Sequence, residues 1–121
     1  CTPADARIFV TGFAPEVPYY AGRGFAGGHV TLYAGFHASV AEQQQTVARL
    51  EGQLVPFAVV PPNRFAEFER LYPDVAAHVA RHYTGLTDVP VDGFEQPSRI
   101  FVHRALEPTG EYGPERWPCS K

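Results

Sequence analysis

The chain has 121 residues, a formal net charge of −3, 45% hydrophobic residues and 19% charged residues. That balance suits one folded domain with a real core and excludes a disordered chain. There is no basic block to follow a phosphate backbone, so no nucleic acid is expected as a partner, and no run of about 18 apolar residues to cross a bilayer as a helix.

Arg7 to Thr11 reads Arg-Ile-Phe-Val-Thr and is closed by Gly12, the composition of a buried first strand. Pro15 suits a first helical turn and Gly22 a helix end, which predicts a short helix interrupted by Pro18. A glycine-rich loop, Gly22 to Gly28, follows, and His29 to Tyr33 reads as a second strand. Ser39 and Glu42 have capping-box spacing, so the clearest helix starts there. Its apolar stripe is expected at Val40, Val47, Leu50 and Leu54, with the Gln43–Gln45 run off that stripe and Gly52 at its end.

Leu54 to Val60 is apolar without polar alternation, as in a strand covered on both faces. Pro61-Pro62 stops it, and Asn63 is placed to cap the next helix. Phe65, Phe68 and Tyr72 share one helical face. Pro73 kinks that helix or starts another, along which Val75, Val79 and Tyr83 stack. Leu86 to Val91 is compatible with an edge strand because of Pro90. Gly93 to Ser98 is turn-like, and Ile100-Phe101-Val102 is the last strand. From Glu107 onward Pro, Gly and Glu predict a surface tail anchored by Trp117.

Strands alternating with helices predict an α/β fold: a small, mainly parallel, Rossmann-like sheet with helices on both faces and a late antiparallel edge strand. One domain is expected over residues 1–121, with its core at about 6–105 and a tail at 106–121. The chain lacks Met and begins Cys1-Thr2-Pro3, which reads as a processed or excised product; a mature lipoprotein also begins with Cys. Cys1 and Cys119 stand at the two ends. They are unrelated thiols in a reducing compartment or a bridge between the termini in an oxidising one.

The search for chemistry gives few candidates. Gly22-Arg23-Gly24-Phe25-Ala26-Gly27 fits G-x-G-x-x-G literally but lacks its working context: a dinucleotide loop must leave the first strand directly and open a helix, and here His-Val-Thr-Leu-Tyr follows. A turn is therefore expected, and no cofactor. His78 and His82 are four apart on a helix, the spacing of zinc peptidases, but Val79 follows His78 and no third ligand has a recognisable spacing. They read as boundary histidines beside the core, and no metal site is expected. His29, His37 and His103 are isolated in sequence. Ser39 is used as a cap, no G-x-S-x-G elbow exists, and the acids Asp88, Asp92, Glu95, Glu67 and Glu69 read as solvated surface, so no catalytic residue is expected. The remaining candidate is Glu16, Tyr20 and Arg23, which follow strand one where an open α/β sheet places its ligand crevice. The competing reading packs Tyr19 and Tyr20 on the short helix and pairs Arg23 with Glu16.

The chain resembles the soluble C-terminal region of multi-pass membrane glycosyltransferases of the protein-mannosyltransferase and aminoarabinose-transferase type. The resemblance rests on Gly12-Phe13, on Pro15-Glu16 leading to Tyr19-Tyr20-Ala21-Gly22-Arg23, on Gln44 to Leu50 before Leu54 to Val60, on Phe68 to Tyr83, and on Ile100-Phe101-Val102-His103-Arg104. It covers most of residues 6–105 as a pattern of elements without a diagnostic motif. It implies a non-catalytic extracytoplasmic domain on the periplasmic side of the inner membrane, partnered by the membrane-embedded part of the same protein and by a lipid-linked sugar or acceptor. That family keeps its catalytic acids between membrane helices, so none is carried over to this chain. The alternative is a free-standing secreted or lipid-anchored binding module.

Overall fold

The apolar run Ile8-Phe9-Val10, entered from Arg7 and left through Thr11-Gly12, gives β1 (Arg7–Val10), which has a parallel neighbour on each side. It pairs in parallel with β2 (Gly24–Phe25) on one side and with β3 (Phe57–Val60) on the other. The computed structural model of the chain describes residues 2–30, 32–61, 65–90, 97–114 and 116–119. Within these, α1 (Glu16–Ala21), α2 (Val40–Glu51), α3 (Phe65–Leu71) and α4 (Pro73–His82) connect or precede the strands. β4 (Tyr83–Val89) leaves α4 without a loop, and the chain returns as β5 (Ser98–His103). A separate two-stranded hairpin, β6 (Gly110–Tyr112) and β7 (Trp117–Cys119), closes the chain.

The main sheet has the order β2-β1-β3-β5-β4 and is mixed. β5 is antiparallel to both of its neighbours, β3 and β4. The fold is therefore α/β but not the mainly parallel sheet expected, and its antiparallel strand is interior rather than at the edge. The cause is the route of the chain. α4 delivers β4 to the far edge, and β5 lies between β4 and β3, antiparallel to both, as adjacent strands joined by a short connection do. β4 is the edge strand, with Pro90 just beyond it where no ladder hydrogen bond is needed.

Three other expectations are corrected. The second strand is not at His29–Tyr33; among the described residues there only Leu32 bridges to Gly12, whose amide donates to the Leu32 carbonyl at 2.9 Å. The pairing falls instead inside the glycine-rich loop, at Gly24–Phe25. Gly22 caps α1 in the left-handed conformation. A side chain at Gly27 would press on Thr46 Cγ2 at 3.1 Å in a backbone with φ +75°. These glycines serve turn and packing, and the loop opens no helix.

Second, the buried face of α2 is only partly the one expected: Leu50 is buried and Val47 packs against the core, but Val40 is exposed and the polar Gln43 and Thr46 are buried beside Leu50. Gln43 is tolerated inside because its amide is satisfied at both ends: Nε2 donates to the Ala38 carbonyl at 2.7 Å and Oε1 accepts from the Asp74 amide at 2.9 Å. Thr46 donates to the Glu42 carbonyl at 3.0 Å. Third, Tyr83 does not continue the α4 stripe. It begins β4, still buried, and donates its hydroxyl to the Val55 carbonyl at 2.9 Å.

Other readings hold. The Ser39–Glu42 capping box starts α2. Pro73 starts α4 at the position where a missing amide costs nothing. Phe68, Tyr72, Val75 and Val79 join Phe9, Leu50, Ala58 and Val60 in one core. The expected cap Asn63 and most of the expected turn at 93–98 lie outside the described residues.

Candidate functional site

The Gln43–Asp74 hydrogen bond sets how α2 and α4 lie together. It joins an early residue of α2 to the second residue of α4. Eight residues further along each helix stand Glu51 and His82, about 12 Å away at helical rise. The two helices thus run side by side in one direction and end together. Their last turns bring Glu51, His78 and His82 into one group, with a ligand-type atom of each within 4.8 Å of the others.

The group lines a pocket of about 290 Å³ that also includes Gln53, His103 and Leu106. It sits at the amino end of β3, because β5 runs antiparallel and its last residue, His103, donates its amide to the Pro56 carbonyl. His82 and His103 stack at 5.8 Å with an interplanar angle of 16°, and the His78 and His82 rings lie 4.6 Å apart. Tyr83 meets His103 edge-on at 4.8 Å.

Burial holds the His78 imidazole below its ordinary pKa, helped by His82 and opposed by the Glu51 carboxylate. Burial, then His82, likewise lowers His103. Burial pushes the Tyr83 hydroxyl up, so it stays a neutral donor. His103 Nδ1 accepts from the Ala105 amide at 3.2 Å, which leaves the ring proton on Nε2. His103 therefore faces its neighbours as a donor. Two imidazoles and a carboxylate can take a proton, a polar group or a cation.

The opposite end of β1 holds the residues expected to bind. Tyr19 and Tyr20 stand out from α1 at 79% and 83% exposure, in edge contact with one another at 5.4 Å. They do not pack the short helix. Arg23 does not pair with Glu16: its guanidinium donates to the Thr2 hydroxyl and carbonyl and to the Gly22 carbonyl, each at 3.0 Å. Arg23 thus ties the N-terminal segment to the end of α1, while Glu16 opens that helix. Around the same strand end, Phe13 and Phe36 are exposed, and Phe13 meets Tyr33 at 5.9 Å. Tyr72 donates to the Phe36 carbonyl at 2.8 Å and so anchors this loop to the core. The cavity beneath, beside Thr11, Gly12 and Leu32, measures only about 20 Å³, the space of one water.

His29 and His37 also come together, stacked at 3.8 Å, with His37 3.3 Å from Glu42. Asp88 is taken up by Arg99 at 2.8 Å; Asp92 and Glu95 lie outside the described residues. Cys119 is buried and is not a free thiol, whereas Cys1, the other half of the expected bridge, lies outside the described residues. No described helix is long and apolar enough to cross a membrane.

Reasoning on sequence placed His78 and His82 on one helix but missed Glu51 and His103. Glu51 comes from another helix and His103 from a strand whose pairing is long-range, so no local spacing announces either. The available signal was the polar Gln43, whose burial fixes the helix pair. The fold and its two ends define a small mixed α/β domain with an aromatic surface at one end and a histidine pocket at the other. No protein-family model, curated protein or solved structure matches the chain.

Proposed function

We propose that the chain is a non-catalytic binding domain that presents its α1 end to a carbohydrate, as the extracytoplasmic part of a membrane glycosyltransferase-like protein. The observation that carries the reading is the set of exposed aromatic rings: Phe13, Tyr19 and Tyr20 in the segment that leaves β1, and Phe36 in the loop whose carbonyl Tyr72 holds. Large aromatic faces left in water are costly for a monomeric domain and mark interaction surfaces. Glu16 supplies a nearby polar group on the same helix, as sugar hydroxyls require. The rings lie at the carboxyl end of β1, where open α/β sheets collect ligands.

In this reading the three parallel strands are the Rossmann-like half of the sheet. Right-handed crossovers in opposite directions from β1 and β2 place α1 and α2 on opposite faces. The lipid-linked sugar or acceptor comes from the membrane-embedded part of the same protein, and a Cys1–Cys119 bridge joins the termini on the periplasmic side. The bridge is independent of sugar binding, and a free-thiol assay on oxidised protein tests it.

Tyr20→Ala in the full-length protein is the cleaner probe, because Arg23 also holds Thr2. Transfer activity should fall with unchanged melting temperature of the domain. Unchanged transfer would leave the surface with only a structural role.

A further inference from the structure

We infer that Glu51, His78 and His82 form a site for one divalent transition-metal ion of the zinc class. The inference concerns the amino end of β3 and does not depend on carbohydrate binding at the other end.

Three features converge. The first is the donor set. Two imidazoles and one carboxylate suit zinc and its neighbours, and are poorly suited to calcium or magnesium, which prefer all-oxygen shells. Three protein ligands also leave a coordination position open. Glu51, His78 and His82 line one pocket together with Gln53, His103 and Leu106, so there is room beside them for a further ligand.

The second is geometry. His78 and His82 are one turn apart on α4, and Glu51 approaches from the last turn of α2. Metal bonds of about 2.1 Å in a tetrahedral shell put ligand atoms about 3.4 Å apart. The three atoms already lie within 4.8 Å without a metal. Burial fixes His78, at 7% exposure, so the remaining contraction falls on the exposed Glu51 and half-buried His82 side chains.

The third is the field. α2, with 12 residues, and α4, with 10, end side by side, so the negative ends of both helix dipoles point at the same place. The α4 end already draws one cation: the Arg104 guanidinium donates to the Ala80 and Arg81 carbonyls at 3.3 and 3.2 Å. Arg104 also donates to the Thr84 hydroxyl, which holds it on the β4 side, while Glu51 approaches from α2. His103, with its proton on Nε2, stands beside His82 as a hydrogen-bond donor and not as a fourth ligand.

The test is zinc titration of the chelator-stripped 121-residue chain by calorimetry, with cobalt(II) absorption as a second readout of coordination. One equivalent should bind, and cobalt should give the intense visible bands of a low-coordinate nitrogen–oxygen shell. Losing even an outer-shell partner costs about 10–100-fold in metal affinity, so His82→Ala and Glu51→Gln should each weaken binding by at least about ten-fold. His37→Asn, in the separate His29–His37 stack, should leave affinity unchanged; asparagine tolerates the left-handed backbone there. Circular dichroism of Glu51→Gln, a change at an exposed residue, checks that the fold is kept. Absence of zinc binding by the wild-type chain, wild-type affinity in either ligand variant, or an equal loss in the His37→Asn control would overturn the proposal.

Discussion

The two ends of the sheet are built by opposite means. At the carboxyl end of β1, sequence-local residues between Phe13 and Phe36 leave aromatic rings in water above a cavity too small for any ligand. At the amino end of β3, residues far apart in sequence converge on a pocket with room for a small ligand. The first end is made by loops and a six-residue helix, the second by the parallel ends of two longer helices and the last residue of β5. A surface made locally is easy to read from sequence and easy to change. A pocket made by convergence is hidden from sequence and is held by the core.

Tyr72 tests how far the aromatic end depends on that same core. It is buried, and its hydroxyl holds the Phe36 carbonyl. Tyr72→Ala should cost about 3–5 kcal/mol through the cavity and the orphaned carbonyl. That corresponds to a fall in melting temperature of more than about 10 °C. A loss of only a few degrees in differential scanning calorimetry would mean that the loop carrying Phe36 is held independently of the core.

A gentler perturbation is acidification, which acts mainly on the histidine end. His78 and His103 are held below the ordinary histidine pKa of 6.5, first by burial and then by neighbouring histidines. Around His78 stand His82, His103 and Arg81, which disfavour its proton, and Glu51, which favours it. His29, in the separate stack with His37, is lowered for similar reasons, by burial, His37 and Arg49 against Glu42. A lowered folded-state pKa means that the unfolded chain takes up the proton first. The stability these groups supply is therefore present above pH 6.5 and is lost as pH falls through their folded values. Urea midpoints should decline from pH 7.5 to pH 5. His103→Gln should flatten part of that decline, because Gln keeps polar contacts without titrating. A midpoint that rises on acidification would contradict the burial of these rings.

Legibility follows the same division. The capping box at Ser39 and the proline start of α4 are local signals that stand where their residues say they should, and the strand expected over Leu54–Val60 forms at its last four residues, Phe57–Val60, with half-buried and buried positions alternating. The strand misplaced at His29–Tyr33 shows a limit of composition: β-branched and aromatic content suggested pairing, but the available edge of β1 was taken by Gly24–Phe25. The stripe on α2 held at Val47 and Leu50 and departed at Val40, where the satisfied amide of Gln43 took the buried position. The order β3-β5-β4 was illegible because it depends on which edge α4 delivers the chain to, and no spacing encodes that. Of the candidate sites, Tyr20 was found exposed as a binding residue needs, Arg23 was found tied to Thr2, and Glu51 could be found only once the helices were paired.

The proposal that the α1 end binds carbohydrate is tested most directly by amide chemical shifts of the isotopically labelled chain titrated with mannosyl phosphate and with aminoarabinosyl phosphate. The account predicts saturable shifts confined to residues between Phe13 and Arg23 and around Tyr33 and Phe36, abolished by Tyr20→Ala. Absence of saturable shifts with both sugars, or shifts centred on His78, His82 and His103 instead, would contradict it.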